Sequence, residues 1–92
     1  MIVKYFATFR EQTHCKEEVL SIGETTALHL LIYIGDKYGR ALSYQLLTKD
    51  QQHTHPDVIF LINGRNIDFL DRENSKIEET DVISLFPRIA GG

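Results

Sequence analysis

The first nine residues, MIVKYFATF, are apolar at nearly every position. On a two-residue period Val3, Tyr5, Ala7 and Phe9 fall on one side and Ile2 and Phe6 on the other, which is the pattern of a strand inside a sheet. REQTHCK is polar and predicts a turn, and EEVLSI predicts a second strand returning as a hairpin. The period then changes. In GETTALHLLIYIGDKYGR, Ala27, Leu30, Leu31, Ile34 and Tyr38 recur at three- and four-residue spacing. That spacing predicts an amphipathic helix, with Thr25 or Thr26 as its cap and Gly39 as its stop. Gly35 inside it costs about 1 kcal/mol relative to alanine. His29 and Tyr33 fall on the opposite helix face and read as surface positions, Tyr33 with apolar area suited to a contact patch.

ALSYQLLTK predicts a short second helix and DQQHTHP a loop. DVIFLING is the clearest strand, apolar from Val58 to Ile62 and closed by Asn63-Gly64, a pair that signals a tight hairpin turn into RNI. DFLDRENSKIEETD is polar and predicts irregular chain, and VISLFP is the last strand. The order strand, strand, helix, strand, short strand, strand implies a mixed sheet with the helix laid across one face. The first and last strands are the most apolar, so they belong side by side in the middle. The chain would then leave the centre of the sheet at a fixed point.

Composition narrows the function classes. Ninety-two residues, 42% of them hydrophobic, make one folded domain with a single modest core and little interior for a deep substrate cleft. The formal net charge is -3 and the cations are scattered singly, which argues against nucleic acid as a partner. No apolar stretch reaches membrane-spanning length, and MIVKYFATFR lacks a signal-peptide layout. The single cysteine, Cys15, permits no internal disulfide, so the expected location is the cytoplasm.

The candidate chemistry lies in FPRIAGG. Glycine orders at the highest entropic cost and offers a core nothing, so the chain divides into a domain over 1–87 and a flexible tail over 88–92. Without side chains, Gly91 and Gly92 can thread a channel too narrow for a Cβ. Pro87 fixes its own φ and biases Phe86 toward an extended backbone, so the tail leaves stiffly. Phe86 and Ile89 are apolar handles for a partner's pocket, though Phe86 reads equally well as closing the domain's own core. Other residues carry weaker signals. His53 and His55 are too few for a zinc site, and His14-Cys15 lacks a third member for an activated thiolate. Glu11, Glu17, Glu18, Glu24, Glu78, Glu79 and Asp81 read as solvated surface. There is no glycine-rich phosphate loop or nucleophile elbow.

With DVISLFPRIAGG at its end, KYFATFRE at its start, and GETTALHLLIYIGDKYG and IFLINGRNID between them, the chain resembles the sulfur-carrier branch of the ubiquitin-like β-grasp family. The small subunit of molybdopterin synthase is the member it most resembles. The resemblance implies an α+β fold, a mixed sheet of about five strands under one main helix. It implies a carrier without catalytic groups, activated by a separate adenylating enzyme that uses ATP and magnesium. Gly92 would become an acyl-adenylate and then a thiocarboxylate. Phe86, Pro87, Arg88, Ile89, Ala90 and Gly91 would dock in that enzyme and in the large subunit of molybdopterin synthase, delivering sulfur to the pterin precursor. The chain itself would hold no cofactor or metal. An exposed sheet face would supply an apolar contact surface, with Phe6, Phe60 and Leu61 as its candidates.

Arg88 departs from the pattern, since the subunit often has a second proline or a small residue there. It suits a ubiquitin-like modifier, whose activated glycine forms isopeptide bonds with lysines. A carrier for thiamine, transfer-RNA thiolation or cysteine synthesis is a further alternative, as is a β-grasp binding domain with an unused tail.

Overall fold

A computed structural model describes residues 1–88 of the chain. Strand β1 (Ile2–Tyr5) is shorter than its apolar run, because the backbone turns at Ala7, φ 53°, into helix α1 (Thr8–Thr13). The predicted turn over REQTHCK is thus partly helical, and Ala7 and Phe9 do not continue the strand. Only Phe9 and Thr13 of α1 are buried, too few for its period to show in the sequence. There follow β2 (Glu17–Val19), β3 (Thr25–Thr26), α2 (Ala27–Tyr38), α3 (Arg40–Leu46), β4 (Val58–Ile62) and β5 (Arg65–Asn66). The polar stretch after β5 forms two 3-10 turns, Ile67–Phe69 and Arg72–Asn74, and then β6 (Lys76–Ile77), which pairs with β3. A two-residue strand has no period, so β3 and β6 have no sequence signature. The last strand is β7 (Val82–Pro87).

The main sheet runs β2-β1-β7-β4-β5. β1 lies parallel to β7, with Val3 beside Ile83, and β4 lies antiparallel to β7, with Phe60 beside Leu85. The two ends of the sequence are therefore adjacent and β7 is central, as their apolarity predicts. One sheet face, carrying Val3, Tyr5, Phe60, Ile83 and Leu85, forms a single buried cluster with Ala27, Leu30, Leu31 and Ile34 of α2. Removing each large side chain of this cluster from water is worth about 1.5–3 kcal/mol.

The helix signals are used as predicted. The Thr26 hydroxyl accepts the His29 N–H at 3.3 Å, and Gly39 ends α2 at φ 109°. Gly35 has a packing reason: a Cβ there would lie 2.9 Å from the Ser43 Cβ, so only glycine lets α3 approach this closely. Asn63 and Gly64, at φ 50° and 84°, form the predicted turn between β4 and β5. The Asn63 side chain also accepts the Val82 N–H and donates to Asp81, each at 2.9 Å, tying this hairpin to the start of β7.

Candidate functional site

Among the described residues no helix covers the second face of the sheet. Alternation places Ile2 and Phe6 there from the first strand, Ile59 and Leu61 from β4, and Val82 and Phe86 from β7. All six are half-buried, and Val19 at the β2 edge is 72% exposed. Of the three candidates for this face, Phe6 and Leu61 lie on it, whereas Phe60 is a core residue at 1% exposure. The opening run therefore reads as apolar on both sides for two different reasons. One side is core, and the other is an apolar surface left without a cover.

Phe86 belongs to that surface, not to the core. Its ring stacks on Phe6, centroids 4.1 Å apart and planes within 9°. The Arg10 guanidinium sits 5.5 Å from the Phe6 centroid, and its Nε donates to the Tyr5 carbonyl. This aromatic pair stands where the chain leaves the sheet. One residue on, Pro87 pairs with Val58. Continuing the register, an N–H at position 87 would point toward the Phe6 carbonyl, which already accepts the Phe9 N–H at 3.1 Å. A residue without a donor therefore loses nothing at this place. Arg88 then donates its N–H to the Asp57 carbonyl at 2.6 Å, the last rung among the described residues, just before β4. Beyond it, Ile89, Ala90, Gly91 and Gly92, and with them most of the expected tail, lie outside the described residues.

The exit opens on a shallow depression of about 280 Å³ lined in part by Tyr44, Gln45, His55 and Asp57. His55 and Asp57 have no role in a reading of the sequence as motifs. Their signal is the turn in HPDV, with proline in the second position and aspartate in the third. The partnership of Phe6 with Phe86 has no local signal, because it depends on strand register.

Of the two loop histidines, His55 is at the exit, its Nδ1 accepting the Asp57 N–H at 3.0 Å, whereas His53 pairs with Glu73 at 3.2 Å. Among the described residues no three His, Cys, Asp or Glu side chains are grouped to hold a metal ion. His14 is exposed in a left-handed helix cap, and Cys15 lies 3.8 Å from the Tyr38 hydroxyl. Glu18 is not plain surface. It accepts the hydroxyls of Tyr5 at 2.6 Å and Tyr38 at 2.5 Å, and the Lys37 ammonium. Burial alone would raise this carboxyl; the hydrogen bonds from Lys37, Tyr38 and Tyr5 outweigh it and hold the group below the usual glutamate range. Burial first, and Glu18 second, push both tyrosine hydroxyls well above their ordinary value. These bonds fasten the edge strand β2 to the end of α2.

A model of the ThiS family matches residues 3–92. The chain belongs to the ThiS family. Its β-grasp sheet and helix are those of ubiquitin-like neighbours among solved structures. This ThiS-family chain is 30% identical to the small archaeal modifier protein 1 of Methanosarcina acetivorans, covering 99% of this chain and 94% of that one at a TM-score of 0.82. The putative molybdopterin converting factor, subunit 1, of Pyrococcus furiosus is 24% identical, with 96% and 95% of the two chains covered and a TM-score of 0.71. The Amycolatopsis orientalis BexX/CysO complex contains a chain 17% identical, with coverage of 99% and 98% and a TM-score of 0.77. At these lower identities the likeness is one of fold. No curated protein matches the sequence. The ThiS-family assignment makes the chain a ubiquitin-like protein of the sulfur-carrier and modifier type.

Proposed function

We propose that this chain is a sulfur carrier whose Gly92 carboxylate is activated and converted to a thiocarboxylate, and that it serves as the small subunit of a molybdopterin synthase. The observation that carries this reading is the placement of the exit. The central strand β7 passes through an uncovered apolar face and leaves it beside the stacked pair Phe6 and Phe86, a few residues before Gly91-Gly92. A partner seated on that face receives the end of the chain in a defined direction. Lys4, Arg10 and Arg88 border the same region and suit an acidic partner surface.

The chemistry balances without catalytic groups from this chain. A Gly92 carboxylate oxygen attacks the α-phosphate of ATP and pyrophosphate leaves. Sulfide then attacks the acyl carbon, AMP leaves with the carbon–oxygen bond, and a thiocarboxylate remains. ATP and magnesium belong to the activating enzyme, and the synthase large subunit would take the loaded tail.

A second reading, that of a protein modifier, is favoured by the 30% identity to a small archaeal modifier protein and by Arg88. Intact mass after incubation with ATP, magnesium, sulfide and the organism's activating enzyme tests the proposal. The expected result is a mass gain of one oxygen replaced by sulfur, located in the C-terminal peptide and absent from Gly92→Ala. No gain with a demonstrably active enzyme would refute the carrier mechanism. Covalent conjugates in cell extract would establish the modifier role.

A further inference from the structure

The bond from Arg88 to the domain, the last among the described residues, depends on one short turn. His55-Pro56-Asp57-Val58 is closed by the Val58 N–H donating to the His55 carbonyl at 3.0 Å. The His55 imidazole closes it a second time, its Nδ1 accepting the Asp57 N–H at 3.0 Å. The turn is fixed to α3 through the His55 N–H, which donates to the Leu46 carbonyl at 2.9 Å. Asp57 is therefore held on its amide side by the imidazole, and its carbonyl is the acceptor for Arg88 at 2.6 Å. None of the six apolar residues of the uncovered sheet face belongs to this turn.

We infer that His55 is a positioning residue for the C-terminal tail: by holding the Asp57 amide it sets the carbonyl that aims the chain at Arg88. The functional part of the inference rests on the carrier reading above, because a carboxylate that must meet a phosphate in line gains most from a fixed approach. The imidazole performs this task only with Nδ1 unprotonated, since a protonated nitrogen donates and cannot accept.

Two variants separate acceptor from bulk. His55→Ala removes the acceptor, whereas His55→Asn supplies a side-chain carbonyl that accepts the N–H two residues on and does not titrate. In the isolated protein, amide exchange at Arg88 is expected to quicken about fivefold in His55→Ala, the equivalent of one lost hydrogen bond, and to return to wild type in His55→Asn. Loading by the activating enzyme with ATP, magnesium and sulfide should show a kcat about fivefold lower in His55→Ala with KM unchanged, because the docking face is intact. Unchanged Arg88 exchange in His55→Ala, or failure of asparagine to restore it in a folded variant, overturns the inference. Altered exchange with unaltered kcat overturns the role in loading. If even wild type is not loaded, the carrier reading fails, and the Arg88 exchange still decides what His55 does.

Discussion

Phe86→Ala separates a docking residue from a core residue. A phenylalanine ring presents about 150–250 Å² of surface, and in the free protein about two-thirds or more of Phe86 is covered, in part by Phe6. Truncation removes the stacked pair, worth about 0.5–1.5 kcal/mol, together with the shielded part of the ring, on the order of 100 Å² and about 2.5 kcal/mol. Its cost to folding is therefore about 3–4 kcal/mol, close to that of a phenylalanine lost from a core, so affinity separates the two roles. The uncovered part, on the order of 50 Å², leaves water only when a partner docks, and at about 25 cal/mol per Å² it contributes about 1.3 kcal/mol. Urea unfolding measures the first quantity. The KM for loading by the activating enzyme, or direct titration with it, measures the second, expected to weaken roughly tenfold. The reasoning fails if the folded variant keeps wild-type affinity for the enzyme. Phe86 would then close the domain, and the apolar face would have another use.

Glu18→Gln should destabilise the domain by about 1–3 kcal/mol at neutral pH, because two tyrosine hydroxyls and an ammonium lose an ionised acceptor, with loading unaffected. The folded state holds the Glu18 carboxyl below the ordinary glutamate value of 4.5, so its contribution is complete above that pH and is lost as pH falls through the folded value. In urea titrations the gap between wild type and variant should close below about pH 4.5, and a gap independent of pH would contradict the assignment. Gly35→Ala places a Cβ 2.9 Å from the Ser43 Cβ and 3.2 Å from its Cα. Overpacking of about 1–3 kcal/mol against a helix-propensity gain of about 1 kcal/mol gives a net loss, read as a lower thermal midpoint; a stabilised variant would show that α3 moves freely.

Much of this architecture is legible in one dimension, because its strongest signals are local. The period of α2, its threonine cap and its glycine stop are consequences of helix geometry acting within a few residues. Asn63-Gly64 declares its turn because few other residues accept two successive positive φ angles. The unusual apolarity of the first and last strands pairs them at the centre of the sheet, and the resemblance points to the sulfur-carrier and modifier type to which the family belongs. Other features depend on residues that meet only after the sheet has formed. Whether Phe60 or Phe6 faces solvent is a matter of register, since a one-residue shift moves every side chain to the opposite face. The stacking of Phe6 on Phe86, the donors that gather at Glu18, and the turn that holds Arg88 join segments far apart in the chain. No local pattern encodes them, because each is satisfied by a contact whose two halves are unremarkable alone. Gly35 shows both sides: its helix cost is visible in the sequence, and its reason, the close approach of Ser43, exists only where two helices pack.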